Sequence, residues 1–431
     1  MAALPASTRF GYSLGSFTTG AFGTVPGLLL LPYLTDTMAV PGAVAGVIVL
    51  VPKAWDVVFN PFAGRLSDTD LARSGSRRRF LAIGGTGVAI LFALLFAHPG
   101  FGSTWADATY VVVLFILCAT AYGIFQVPFN ALPAELTDSY DERTRITSWR
   151  IGLLAIAILI SGGVAPLITE GIGGVTGYRV MGVVIGVVIL VGTIGVLLGT
   201  RGAPVGDRRP NSPGWRELLA TMKGWRPFRW LLSVYFVQSL GVAVLLAGVN
   251  YAARYVFGDA GLQTYLFVGF VGPALLTMPL WPRLGARWGK LWGFRFASLC
   301  FGVACAGLCA TQVLPLGVAF VFVALAGVGY AGIQVFPLAI LPDLITAEEA
   351  RTGETRAGVT AGVWTAGETL GLALGPGLFG LLLTIGGYVS SKDFSVPQPG
   401  SAVTAIVIGF SIIPGVFVLL GIPLLRKSVL A

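Results

Sequence analysis

Charge is what this chain has least of. Only 11% of its 431 residues are Asp, Glu, Lys or Arg, while 55% are hydrophobic. A soluble domain carries roughly 25% charged residues, so this chain cannot cover a water-facing surface, and lipid must be the solvent for most of it. Histidine is scarcer still: His98 stands alone. Metal clusters need several such ligands close together. Neither an HExxH pair nor a Walker-type phosphate loop occurs. A membrane-embedded enzyme would need one of these devices or a nucleophile–base pair, so catalysis is not expected, and neither is a metal site or a cofactor. The four cysteines, Cys118, Cys300, Cys305 and Cys309, all lie in apolar runs and read as small helix-packing residues. The polar start is short and the first apolar span is long enough to cross a bilayer, so no cleavable signal peptide is expected. No lipidation motif is seen.

What charge there is has a sign. The formal net charge is +9, from 28 Lys and Arg against 19 Asp and Glu. The basic residues are spread over loops and not gathered on one face, which argues against a nucleic-acid partner. They set topology instead. One side of the membrane receives Arg9, Arg65, Arg73, Arg77, Arg78, Arg79, Arg143, Arg145, Arg283, Arg287, Lys290, Arg351, Arg356, Arg426 and Lys427. The other receives little beyond Arg179, Arg254 and Lys392. Both termini are therefore expected in the cytoplasm, with the protein integral to the plasma (inner) membrane.

A bilayer crossing takes about 20 apolar residues. Candidate spans fall near 10–34, 42–66, 79–99, 107–132, 149–169 and 178–200, then 228–257, 263–283, 291–312, 315–341, 357–385 and 402–425. That predicts an all-α membrane protein of 12 transmembrane helices in two six-helix halves, 1–200 and 228–431. The linker, 201–227, is polar, with a short surface helix expected around Trp215–Lys223. The 60 glycines suit close helix contact in lipid. Two echoes relate the halves in the same order. Asn60-Pro61-Phe62-Ala63-Gly64-Arg65-Leu66 is followed about half a chain later by Met278-Pro279-Leu280-Trp281-Pro282-Arg283-Leu284. The run from Tyr122 to Gln126, with its continuation Leu132-Pro133-Ala134-Glu135-Leu136, is echoed by Tyr330 to Gln334 with Leu341-Pro342-Asp343-Leu344. Two parallel six-helix repeats are the plan of the major facilitator transporters.

Ionisable residues inside the spans mark functional sites by default, because each costs about 2.5–3.5 kcal/mol to insert. Asp56 and Lys53 are three apart, hence on one helical face. They make a proton or cation site or, in the plainer alternative, a structural ion pair. Glu368 lies mid-span between glycines. It is a second proton site, or else a carboxylate satisfied by Arg150 or Lys53. Gln126, Asn130, Arg150, Gln238, Asn250, Gln334 and Trp364 are the other intramembrane polar or amphipathic groups. They line a substrate cavity or join helices by hydrogen bonds.

Five motifs together resemble the glycoside–pentoside–hexuronide:cation symporters, the melibiose-permease-like branch of the major facilitator superfamily. They are Gly11 to Gly15 with Tyr33-Leu34-Thr35-Asp36; Lys53 to Asp68; Pro128 to Leu136 with Glu142-Arg143-Thr144 and Arg150; Leu341-Pro342-Asp343 with Thr352 to Gly358; and Leu370 to Gly375 with Gly387-Tyr388. The resemblance implies cation-coupled transport by alternating access, with the two halves rocking about a central cavity. With the intramembrane residues above, it gives coupling candidates Asp56 and Asn60 by family position and Glu368 and Lys53 by their own chemistry, and substrate-contact candidates Arg150, Gln126, Asn130 and Gln334 by family position and Trp364 by its place in the span. Cytoplasmic gating falls to Arg65, Asp68, Arg143, Arg283 and Asp343, with Glu135 and Asp138 as further partners.

The departures from the family pattern are informative. The family's second carboxylate on this helix is Asn60, and its other sodium contacts fall on Phe59 and Gly123, so only Asp56 of that set survives. Its eleventh-helix lysine is Glu368. The sugar-binding aspartates are Gly20 and Gln126, and the stacking aromatics are Asn130 and Gln334. A hard cation wants several oxygen ligands, so a proton is favoured over sodium as coupling ion. The expected cargo is a small organic solute such as a glycoside or organic acid. A lysolipid or other amphipathic cargo, and sodium-coupled sugar symport, are the alternatives. Beyond solute and bilayer no partner is expected, and a monomer is the default.

Overall fold

The computed structural model describes residues 4–137, 139–201, 225–310, 315–352, 357–392 and 396–425, omitting some side chains within them. Its chain is almost entirely helical. In lipid an unpaired backbone group has no water to turn to, so a spanning segment must satisfy its own hydrogen bonds. The spanning helices are α1 (Ala6–Thr37), α2 (Gly42–Ser74), α3 (Arg78–Leu95), α4 (Thr104–Leu136), α5 (Tyr140–Ile172) and α6 (Gly174–Gly199). Then follow α7 (Arg226–Val256), α8 (Leu262–Thr277), α9 (Leu280–Trp288), α10 (Lys290–Leu308), α11 (Leu316–Thr352), α12 (Ala357–Ile385) and α13 (Gly400–Leu420). Among the described residues eleven helices are long and apolar enough to cross a membrane, or twelve when α8 and α9 count as one span.

Each expected span is helical, and the differences lie at the ends and in one break. The second, fourth and tenth expected spans, 42–66, 107–132 and 315–341, run on to Ser74, Leu136 and Thr352. Pro133 and Pro342 do not stop their helices, because in and near lipid an open backbone is the costlier choice. At 33 residues α2 is about 50 Å long at 1.5 Å per residue. The hydrocarbon layer is about 30 Å thick, so its charged end, from Arg65 to Arg73, projects beyond the layer. The expected span 263–283 is instead two helices bent by 51°. Pro279 stands at the break, where it lacks the N–H that a continuous helix needs. The surface helix expected at Trp215–Lys223, most of the linker, Glu354, Arg356, Arg426 and Lys427 lie outside the described residues.

Contacts divide the chain into two compact units. The first comprises Met1–Pro26, Asp36–Val40 and Val51–Ser212; the second comprises Gly27–Thr35, Pro41–Leu50 and Pro213–Ala431. Both have outward aliphatic side chains that suit lipid: Ile83 and Leu198 in the first, Leu276 and Ile385 in the second, are each more than 60% exposed.

In the first unit α1 packs on α5 and α6, and α3 on α4 and α6. Tyr12, Leu81, Phe125, Phe129, Leu132, Ile146 and Val196 form one of its cores. The α1–α6 seam is built from small residues. Gly11 and Gly199 touch so closely that a Cβ on either would run into the other's backbone. Thr18 donates to the Ile189 carbonyl (3.0 Å) and meets the Thr193 hydroxyl at 3.2 Å in the same seam. In the second unit Gly42 and Gly46 on α2 likewise meet Gly380 and Gly377 on α12. The Ala43 N–H donates to the Thr384 hydroxyl at 2.8 Å, and Thr35 and Tyr251 share a hydrogen bond of 2.7 Å.

This seam generates a prediction. Gly199→Val should destabilise the protein by about 1–3 kcal/mol, the usual penalty for overpacking. Gly23→Ala, where nothing lies within 4 Å, should be neutral. Thermal unfolding of the purified protein in detergent measures both, and equal midpoints for the two variants would refute the seam.

Candidate functional site

Asp56 sits one turn after Lys53 and one turn before Asn60 on α2, so the three share a helical face. Lys53 does not pair with Asp56. No ion pair joins them, and the ammonium lies over the Phe22 ring, 5.2 Å from its centroid. The ring's electron-rich face attracts the cation. Asp56 is 3% exposed, and its Oδ1 has no hydrogen-bond partner. Asn60 Oδ1 is also buried and unpartnered. Two acceptor oxygens thus stand one turn apart with no donor. Gly123 of α4 faces them: a Cβ there would come within 3.0 Å of both Asn60 Oδ1 and Phe59 Cδ1. The positions that the family pattern equates with cation contacts therefore do meet in space, although Phe59 and Gly123 bring no side-chain oxygen. Tyr122, beside Gly123, packs its ring on Phe22 at 4.3 Å. Trp55 is tied through Nε1–H to Thr120 at 2.9 Å, which fixes α2 against α4.

Arg150 of α5 forms the second cluster. Its Nη2 donates to Asn130 Oδ1 at 2.5 Å and its Nη1 to the Tyr12 hydroxyl at 3.4 Å. Its guanidinium carbon lies 4.7 Å from the Phe129 ring centroid. Tyr12 stacks on that ring at 4.8 Å and donates to the Phe129 carbonyl at 3.3 Å. All these partners are neutral, and no carboxylate of a described residue in this unit forms an ion pair with Arg150. Gln126 lies half-buried one turn from Asn130, and its side chain has no hydrogen bond with a described residue.

The third cluster belongs to the second unit. Glu368 Oε1 lies 2.7 Å from the Tyr235 hydroxyl, and Gln334 Oε1 lies 2.9 Å from that same hydroxyl. Gln334 Nε2 donates to the Tyr330 hydroxyl at 3.1 Å. Trp364, one turn from Glu368 on α12, stacks on Tyr235 with centroids 4.6 Å apart, and its Nε1–H is buried without a partner. Within its unit Glu368 is thus met by a tyrosine. Gln238 and Asn250 take the helix-joining role: their amide nitrogens donate to Ser298 Oγ at 3.0 Å and Gln263 Oε1 at 2.6 Å.

At the charged ends one ion pair forms on the expected partner Glu135 and another on the gating candidate Asp343. Glu135 pairs with Arg77 at 2.6 Å, with the side chains only 1% and 2% exposed, and Arg77 also donates to Ser67 Oγ at 2.5 Å. In the second unit Lys290 pairs with Asp343 at 2.5 Å. Arg65 and Arg283 are exposed and make no ion pair with a described residue. The side chains of Asp68, Asp138 and Arg143 lie outside the description. Tyr12, Tyr235 and Tyr330 are the site residues that sequence reasoning passed over. Their signal was a phenol in mid-span, whose hydroxyl must find a partner when buried.

Comparison with known proteins agrees with this architecture. A family profile described as MFS/sugar transport protein matches residues 11–427. An uncharacterized symporter of Bacillus subtilis is 27% identical over 323 residues, 73% of this chain and 68% of that protein. A glucuronide carrier protein homolog of Escherichia coli is 27% identical over 299 residues, 68% of this chain and 64% of that one. The isoprimeverose transporter of Lactiplantibacillus pentosus is 26% identical over 298 residues, with 67% and 60% covered. The aligned stretches thus span about two thirds of these relatives or a little less. Among solved structures, a D-xylose-proton symporter superposes with a TM-score of 0.71 at 16% identity, covering 98% of this chain and 97% of that one. A bacterial homologue of the iron transporter ferroportin gives 0.65 at 16% identity, with 97% of each chain covered.

The buried Arg77–Glu135 pair makes a stability prediction. Removing one partner strands the other charge, which costs about 3–5 kcal/mol. Arg77→Leu should therefore lower the unfolding midpoint strongly, and adding Glu135→Leu should restore most of the loss. A double variant no better than Arg77→Leu would show that the pair is not what holds these helix ends.

Proposed function

This chain belongs to the MFS/sugar transport protein family, an integral-membrane transporter and not an enzyme, and from that premise we propose that it is a proton-coupled symporter of small organic solutes. Alternating access would carry a glycoside or organic acid together with the ion, in the inner membrane, with both termini in the cytoplasm. The observation that carries the reading is the pair of unpartnered buried oxygens, Asp56 Oδ1 and Asn60 Oδ1. A transporter must leave such groups unsatisfied in some state so that an ion can satisfy them. Lys53, held on Phe22 and not on Asp56, leaves the carboxyl free to exchange.

The donor set favours a proton. A hard cation collects about six or more oxygens, and Asp56 and Asn60 together carry three side-chain oxygens, two of them buried and unpartnered, in a notch lined otherwise by Phe59 and Gly123. A proton needs a single carboxylate oxygen, and Glu368 in the second unit supplies a further proton-binding carboxyl. On the solute side, Arg150 presents a guanidinium held only by neutral groups. It has N–H donors to spare for a carboxylate or clustered hydroxyls. Asn130 and Gln126 are the other solute-contact candidates of the first unit; Gln334 and the Trp364 face are those of the second. A glucuronide combines all of these features, and a relative carries that word in its description. Arg65, Asp68, Arg143, Arg283 and Asp343 remain the gating candidates, joined by Arg77 and Lys290 through their observed ion pairs.

The test is solute-driven pH change in proteoliposomes, screened over a methyl glucuronide, isoprimeverose, xylose and simple organic acids in sodium-free and sodium-containing buffer. Wild type should move protons with at least one of them, without need of sodium. Asp56→Asn and Glu368→Gln should each reduce the proton flux about tenfold or more, within the usual range of coupling between sites. Arg150→Lys should weaken uptake of the acidic solutes more than that of the neutral ones. Uptake that requires sodium and survives in Glu368→Gln would overturn proton coupling.

A further inference from the structure

The cluster around Tyr235 has more acceptors than protons. A phenol has one O–H to donate, yet Gln334 Oε1 and Glu368 Oε1 both lie at donor distance from it, 2.9 and 2.7 Å away. Two acceptors cannot share one proton at full strength, and one of the two contacts is then oxygen against oxygen. The Ser239 hydroxyl also reaches this phenol, acting as a donor to its oxygen, and in that sense it takes no proton from the phenol and leaves the conflict in place.

Two arrangements do. In the first, Glu368 is a protonated acid and donates to Tyr235. Tyr235 donates to Gln334 Oε1, and Gln334 Nε2 donates to Tyr330. In the second, Glu368 is a carboxylate and accepts from Tyr235. The Gln334 amide is turned by half a revolution, so that Nε2 donates to Tyr235 and Oε1 accepts from Tyr330. Each arrangement gives every contact made by Tyr235 and Gln334 one donor and one acceptor, and a half-turn of a terminal amide preserves the heavy-atom positions. The proton that distinguishes them passes between the aqueous phase and the Glu368 carboxylate, and no other bond is made or broken.

The two states differ at the far end of the chain. In the protonated state Tyr330 accepts from Gln334, and its own O–H has no acceptor among the described residues. In the ionised state that O–H is committed to Gln334. We propose that Gln334 is a proton-linked switch whose amide orientation ties the protonation of Glu368 to the availability of the Tyr330 hydroxyl as a donor to solute. The ligand class follows: a solute presenting an acceptor oxygen, from a carboxylate or a sugar hydroxyl. Trp364 gives an independent sign of such an oxygen, because its Nε1–H is buried and unpartnered while its ring is only 3% exposed. Binding of that oxygen favours the protonated state, and by reciprocity proton uptake favours binding. This gives symport a structural basis within one unit, and it rests on the reading of Glu368 as a coupling group. Tyr235 and Tyr330 are the titratable side chains acting on Glu368, and no ion pair joins it to a described residue.

The test needs no known solute. Infrared difference spectra between acidic and alkaline buffer are recorded on the full-length protein in lipid, with glutamine side-chain carbonyls isotope-labelled. A protonated-carboxyl band that is lost in Glu368→Gln should titrate in step with a shift of the labelled amide carbonyl. Gln334→Leu should abolish that shift. Tyr235→Phe, which keeps the ring stacked on Trp364, should retain the Glu368 band and lose the amide shift. A Glu368 band that titrates without any amide shift, or an amide shift that survives Tyr235→Phe, overturns the switch and leaves proton coupling standing. A Glu368 carboxyl with no titration across the range sinks the switch and its role in coupling together.

Discussion

Everything in this structure follows from the absence of water in the hydrocarbon layer. Backbone groups that cannot reach water must bond within their own helix, so the chain is helical even through Pro52, Pro61, Pro128, Pro133, Pro337 and Pro342. The same constraint governs side chains. A buried polar group without a partner loses its hydration and gains nothing in return. Many buried polar groups among the described residues are accordingly paired: Thr18 with Thr193, Thr35 with Tyr251, Gln238 with Ser298, Asn250 with Gln263 and, at the helix ends, Arg77 with Glu135. Gln238, Asn250 and Gln263 each keep one further buried atom unsatisfied, whereas Asp56, Asn60 and Trp364 have an unsatisfied buried atom and no side-chain hydrogen bond to a described residue at all.

Packing explains why those atoms can stay unsatisfied without disordering the fold. Small residues let α1 and α6 approach until their backbones touch, and aromatic side chains fill the space behind. Phe22 is the best example. It packs against Tyr122 and Phe115 and receives the Lys53 ammonium on its face. By holding that cation it keeps the nearest positive charge from closing on Asp56. Phe129 plays a comparable part for Arg150, carrying the guanidinium on one ring while its carbonyl anchors Tyr12. In both places an aromatic ring holds a charge that a carboxylate would have neutralised.

The architecture was legible in the sequence because it is written in long apolar runs, basic loops and glycines, which need no partner to be read. The ends were less so. Pro133 and Pro342 look like stops in sequence and are not, while Pro279 breaks a run that hydropathy joins. The candidate site was legible where a charge sits in an apolar span, as with Asp56, Arg150 and Glu368. It was illegible where the partner is a tyrosine, because a phenol in a span signals nothing until its neighbour is known. Hence Arg150 was foreseen without Tyr12, and Glu368 without Tyr235. The pairing of charges at the helix ends was illegible for a related reason: sequence shows which arginines lie near the membrane face, but only packing shows that Arg77 is enclosed with Glu135 while Arg65 is exposed.

The central claim is that Asp56 is an exchangeable proton site in an apolar notch. A hydrophobic carbodiimide reacts with protonated carboxyl groups that it reaches through lipid, and peptide mass mapping locates the adduct. Labelling of Asp56 that declines as pH rises and is indifferent to sodium at fixed pH is the predicted result. Protection of Asp56 by sodium at constant pH would contradict the account and make the notch a metal-cation site.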